Sequence, residues 1–301
     1  MKKINFNCDR DSLTTEILND LKQYSQCEGI KNPLIVLPDV HYKRGEMAPT
    51  GTVMISDNKI FPGFTHLSLG SGISLWGIEA EKNLENKIIN SMKIFFKMLQ
   101  QKNKQEIKLN VKEIDQTFLD GANVFKKKGY LSKKEIENIE NNGNFRKKYK
   151  NLLHPKIAIP KYLYNECLKN WGYLGHGNAF AELHSVGKIK DIIFFKEKKF
   201  DKYNFFLIIH SSLPGTFLTH YFTPRWGLHG KKFLPFEKEK WNFFSNHLKS
   251  KESIMHKKNY FPPASKYFSI PFNSYDGNLY MSAQLSLINA NIANRINQGL
   301  N

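Results

Sequence analysis

Residues 37–76, LPDVHYKRGEMAPTGTVMISDNKIFPGFTHLSLGSGISLW, constrain the fold more than any other part of the chain. The apolar run 33–37 just before this stretch leads into a polar pair, Asp39 and His41. The stretch closes with a glycine turn, Gly70-Ser71-Gly72, set between apolar flanks. Short apolar runs broken by glycine and proline predict strands and turns, not helices. Two strand ends therefore each deliver a polar cluster. The pattern excludes a coiled coil, a repeat array and a membrane span.

Helical periodicity predicts the elements around this stretch. Leu13, Ile17 and Leu21 place a helix over 11–25, and Leu84, Ile88, Met92, Phe95 and Leu99 place a second over 84–99. Residues 101–113 read as a lysine-rich connector, followed by a helical piece over 118–125 that Gly129-Tyr130 breaks. Ser132 with Glu135 is a capping box opening a helix to 140, which Asn141-Asn142-Gly143 ends. The apolar segments 192–195 and 205–209 read as buried strands joined by the charged loop KEKKFDKY. Residues 216–272, aromatic and rich in Lys and Pro, read as an insertion with a helix near 237–249. A final helix over 279–297 is polar on one side. No linker interrupts the chain, so the expectation is one α+β domain over 1–301, a mixed β core flanked by helices.

Composition narrows the partners. Of 301 residues, 45 are Lys or Arg and 27 Asp or Glu, a net charge of +18. Such an excess favours polyanions, nucleic acid above all. Biased coding that enriches Lys, Asn, Ile and Phe together would produce part of it. The basic run RKKYK at 146–150 reads as a solvated face or, beside a site, as an RNA contact. Cys8, Cys27 and Cys167 are too widely spaced for a CxxC zinc site or a disulfide framework, which points to a reducing compartment. The N-terminal residues lack a signal peptide's apolar centre, and no run approaches a transmembrane length. The expectation is a cytoplasmic protein without a membrane partner.

Five stretches carry a resemblance. They are PDVH with the later GSG turn; Leu119-Asp120-Gly121-Ala122 with Gly129-Tyr130; GHGNAFAE over 175–182; HSSLPG over 210–215; and Tyr280, Asn289 and Ala293-Asn294-Arg295. In this order the chain resembles the RtcB family of RNA ligases from about residue 12 to 297. The resemblance implies joining of an RNA 3′-phosphate or 2′,3′-cyclic phosphate to a 5′-hydroxyl, with GTP and manganese as cofactors and RNA as partner. It also implies a guanylylated histidine and metal ligands from Asp, Cys and His, a donor mix suited to such a metal.

Carried over by position, the pattern departs from the family at its ligands. The motif acid is Ser68, the metal-bridging cysteine is Ser71, the GNH histidine is Ala179, and the arginine of the HSGSRG motif is Pro214. Among the metal ligands His210 alone survives. Asn178 and Glu182 match residues lining the nucleotide site, and Asp39 and His41 remain from PDVH. The sequence has no counterpart of the family's remaining metal histidine or its GMP-accepting histidine. His176, His184 and His66 lie beside the altered positions and are candidates for a relocated site.

Neutral hydroxyls replace charged ligands poorly. The resulting expectation is an RNA-binding family member that has lost most of the manganese and GTP ligation site. Tyr149, Phe222, Trp226 and Trp241 are candidate stacking residues. The alternatives are an active ligase, completed by a partner chain supplying the missing C-terminal part or by relocated ligands, and a scaffold protein without RNA chemistry.

Overall fold

The computed structural model describes residues 4–42, 48–64, 69–80, 85–101, 108–175, 179–187, 189–197, 199–213, 267 and 269–300. The fold is α+β. The described strands divide among three sheets, and the chain forms two compact units. The first unit holds residues 1–67, 151–164 and 216–284; the second holds 68–150, 165–215 and 285–301. No helix among the described residues is long and apolar enough to cross a membrane. The insertion read over 216–272 lies outside the described residues except at Tyr267 and 269–272, and its helix near 237–249 lies wholly outside them.

In the first unit, β1 (Ile4–Phe6) runs parallel to β2 (Ile30–His41), which pairs antiparallel with β3 (Thr50–Ser56). Helix α1 (Thr15–Gln26) starts where the Thr14 side chain accepts from the Ile17 N–H, an N-cap that fills one of the helix's orphan donors. Leu13 therefore precedes the helix. The apolar stripe Ile17, Leu21 and Tyr24 packs on Leu34, Val36 and Val40 of β2. A two-stranded pair, β4 (Lys59–Ile60) with β8 (Ile270–Pro271), is also present in this unit.

Buried Tyr24 lies edge-on to Phe64 and Tyr267, with ring centroids 5.1 and 4.7 Å away, and Tyr267 donates to Asp20 at 2.7 Å. Burial, then the nearby Asp20, pushes the Tyr24 phenol far above its ordinary value of 10.0. Above that pH the unfolded chain ionises this phenol while the folded one keeps its proton, so the unfolded state binds fewer protons. Stability is therefore expected to be intact below about pH 10 and to fall above it, by up to about 1.4 kcal/mol per pH unit from this group. Urea midpoints measured between about pH 8 and pH 11 check it, and Tyr24→Phe should make that part of the profile shallower, the remaining slope coming from Tyr267, whose phenol is raised as well by burial and by the bond to Asp20.

The second unit is built on an antiparallel sheet in the order β5 (Gly72–Ile78), β7 (Phe205–Ser211), β6 (Phe180–Ser185). One face, through Leu207 and Ile209, packs on Phe95 and Leu99 of α2 (Glu85–Leu99) and on Leu174. The short helices α3 (Val111–Asp120), α4 (Asn123–Lys127) and α5 (Lys133–Glu137) follow. The capping box of Ser132 with Glu135 is present, although α5 ends at Glu137. Helix α6 (Pro155–Ala158) belongs to the first unit, and α7 (Lys161–Lys169) has residues in both units.

Two sequence expectations are corrected. The connector over 101–113 contains the start of α3, capped by a reciprocal pair, Asn110 with Glu113. The segment 192–195 is helical, as α8 (Ile192–Glu197), and not a buried strand. Ile192 and Ile193 are exposed, while Phe195 packs on Phe200 and Phe206. Four apolar residues carry too little periodicity to separate the two states. In the basic run, Lys147, Lys148 and Lys150 are exposed, whereas Arg146 is buried and donates to the Ser286 hydroxyl at 2.6 Å.

The last helix, α9 (Tyr275–Gly299), is the feature that positions the site. Its residues to Gln284 belong to the first unit and those from Leu285 to the second. Within the second unit both its apolar and its polar side chains are buried: Ser286, Asn289, Asn291, Asn294, Asn297 and Gln298 at 0 % exposure, Arg295 at 8 %. Buried polar groups need partners, and these find them in the loops. Asn289 accepts from the Phe145 N–H and donates to the Leu119 carbonyl; Asn294 accepts from Gly172; Asn297 accepts from Lys108; Gln298 donates to the carbonyls of Gly172 and Tyr173.

Candidate functional site

The site grows from the end of the β5–β7 ladder. Gly72 pairs with Ser211 and Ile73 with His210, so the turn before β5 meets the last residues of β7. Gly70 has φ +70°, and a Cβ there would come within 2.9 Å of the Ile288 backbone, so this turn lies directly on α9 and only glycine fits. Asn291 donates to the Leu69 carbonyl at 2.8 Å and accepts from the Leu213 N–H. Arg295 donates through Nη1 to the carbonyls of Gly70 and Ser211, at 2.5 and 3.1 Å. Burial lowers the Arg295 guanidinium to about 10. Ser211 donates to Gln298 at 2.7 Å. One helix thus holds the backbone just before Ser71 and just after His210.

Within that frame the Ser71 hydroxyl lies 3.1 Å from His210 Nε2. Both residues are half-buried. Phe180, paired across the ladder with His210, sets its ring 5.3 Å from the imidazole at an interplanar angle of 32°. Successive strand residues alternate faces, so Glu182 and His184 share the sheet face of His210. There they pair with each other, Oε2 to Nε2 at 2.9 Å, both exposed.

The other predicted residues fall as follows. Asp39 and His41 belong to the first unit, at the end of β2. The His41 Nδ1–H donates to the Asp39 carbonyl oxygen at 2.7 Å, while the Asp39 side chain is 91 % exposed. This is a local turn contact within the strand end. Ser68, His66, His176 and Asn178 lie outside the described residues, as do Phe222, Trp226 and Trp241; Tyr149 is exposed. The structure therefore brings Ser71 and His210 together, with Glu182 on the same face.

A manganese ion does not fit the described donors at this position. They are one imidazole, already hydrogen-bonded to a neutral hydroxyl, with an aromatic ring against it and Ala179 where the family resemblance places a histidine. A largely dehydrated divalent cation requires anionic or several imidazole ligands. Among the described residues no group of three or more His, Cys, Asp or Glu side chains is gathered to hold a metal.

Sequence reasoning passed over Asn291 and Phe180 as parts of the site. A signal for the first was present: Asn289, Asn291, Asn294 and Asn297 crowd a predicted helix, where asparagine is a poor former unless its side chain is engaged. No curated protein matches the chain. The family model described as tRNA-splicing ligase RtcB matches residues 20–223, more than half of the chain, and covers Ser71, Phe180, Glu182 and His210 alike. The chain belongs to the RtcB family of RNA ligases.

Proposed function

We propose that this chain binds single-stranded RNA ends and has given up the family's manganese- and GTP-dependent joining step. The observation that carries the reading is the 3.1 Å contact between Ser71 and His210. A neutral hydroxyl stands where the resemblance places the thiolate that would bridge metals, and it engages one of the two imidazole nitrogens through which His210 could bind a metal. Charge supports RNA as the partner: the net charge is +18, and Lys126, Lys134, Lys147, Lys148 and Lys150 are exposed in the helical part of the second unit, near in sequence to exposed Tyr130 and Tyr149. Ammonium groups of this kind hold phosphates, and exposed aromatic rings offer stacking surfaces to bases. Asn178 and Glu182 remain candidates for contacts to the terminal nucleotide. A cytoplasmic location fits this role.

Affinity for a single-stranded oligonucleotide is expected to fall with salt, with a log–log slope of about −0.7 for each phosphate contacted, and to be unchanged by added manganese. Titrations at several salt concentrations, with and without the metal, measure both. A flat salt response would remove RNA from the reading, and binding that requires manganese would restore the metal to it.

A further inference from the structure

Helix α8 presents two consecutive isoleucines to solvent. Ile192 is 48 % exposed and Ile193 69 %, the latter above every other large apolar side chain among the described residues. Single exposed apolar residues are ordinary, but an adjacent pair on a firmly held helix is not. The hold is aromatic: Phe195 and Phe200 set their rings 6.4 and 5.7 Å from that of Phe206 on β7, and Tyr203 sets its ring 5.8 Å from it. The backbone closes the segment as well. The Phe200 N–H donates to the Phe195 carbonyl at 3.0 Å across a left-handed Lys199, φ +56°, and the Val186 N–H donates to the Asn204 carbonyl at 3.0 Å, tying the two ends of the segment together. The isoleucines are therefore held in place, and little freedom is lost when a partner covers them.

We propose that α8 is a docking surface for an anionic lipid membrane, with the isoleucines entering the acyl boundary and the surrounding lysines meeting the headgroups. The inference goes beyond the RNA reading and does not depend on it. Residues 188–202 contain six lysines against three acids, and Lys190, Lys196, Lys199 and Lys202 are exposed. Charge and apolarity together separate the partners that such a surface could meet. RNA matches the lysines but offers aliphatic side chains no interior in which to leave water. A second copy of this chain offers apolar surface but sets lysine against lysine. An anionic bilayer supplies both, since its headgroups attract each nearby lysine and the acyl region lies just beneath them. No helix among the described residues is long and apolar enough to cross a membrane, and a surface contact requires none. The sequence expectation of no membrane partner weighed only spans and signal peptides, and this surface departs from it.

The test is co-sedimentation of the full chain with vesicles of phosphatidylcholine alone and of equal parts phosphatidylcholine and phosphatidylserine. Binding should be at least about 10-fold tighter on the anionic vesicles and should weaken with salt. A chain of net charge +18 adsorbs to anionic lipid by charge alone, so the isoleucines decide the matter. Ile192→Ser with Ile193→Ser should lower affinity for the anionic vesicles at least about 10-fold, whereas Val111→Ser, which alters another exposed apolar residue, should leave it unchanged. Lys190→Glu with Lys196→Glu should lower it by a similar factor. Urea midpoints should not move in any of these variants, since the altered side chains are exposed, and RNA affinity should survive the isoleucine change. A parent chain that stays in the supernatant with anionic vesicles overturns the proposal, as does full affinity in the isoleucine variant. Equal binding to both vesicle types overturns the preference for anionic lipid. Loss of single-stranded RNA affinity in the isoleucine variant would make α8 an RNA contact and overturn the membrane assignment.

Discussion

Asn291→Leu is expected to destabilise the protein by about 2–6 kcal/mol. Leucine fills nearly the same volume, so little cavity arises. The loss comes from two stranded backbone groups. Asn291 both donates to the Leu69 carbonyl and accepts from the Leu213 N–H, and Leu69 and Leu213 are 4 % and 1 % exposed. Neither group has water to turn to, and each orphaned buried group costs about 1–3 kcal/mol. Urea unfolding should show a lower midpoint with an unchanged slope, the mark of altered stability without an altered unfolded state. A change below about 1 kcal/mol would mean that the loops hold themselves in place without the helix.

A larger effect is expected in metal affinity. Ser68→Asp, Ser71→Cys and Ala179→His together should raise manganese affinity at least about 100-fold over the parent chain. Losing even an outer-shell partner costs about 10–100-fold, and these three changes restore direct ligands. Ser71→Cys removes the hydroxyl now bonded to His210 and supplies a thiolate in its place. Calorimetric titration reads the affinity. It should also show proton release, because the thiol must ionise to bind. The parent chain, lacking these anionic ligands, should retain no label from radioactive GTP on denaturing electrophoresis. A parent that binds manganese as tightly as the triple variant would sink the reading, since other residues would then supply the site.

The parts of the fold legible in the sequence were those carried by local pattern. The stripe 84–99 became α2 almost to the residue, Ser132 with Glu135 did cap α5, and the apolar run at 205–209 became β7. Illegible parts depended on partners far away in the chain. Periodicity scores only apolar residues, so it reads a helix with a polar side but cannot say that this side is buried. The groups that make burial of α9 tolerable are carbonyls and N–H groups of loops up to 225 residues distant. Of the candidate site, Ser71, Glu182 and His210 stand out in the sequence as residues, but their contacts do not. Replacement of a ligand cysteine by serine reads as loss. Only the distance to His210 shows that the new hydroxyl has acquired a partner.

The burial of polar side chains along α9 also sets a schedule for synthesis. Leu213 leaves the ribosome 78 residues ahead of the Asn291 that holds it, a delay of about 4–16 s at a rate of ~5–20 residues per second. Throughout that interval the Gly70 turn and the end of β7 lack the side chains that hold them. The second unit is therefore expected to complete its packing only once α9 has emerged, and cells that translate it slowly should accumulate more aggregate than those that translate it fast.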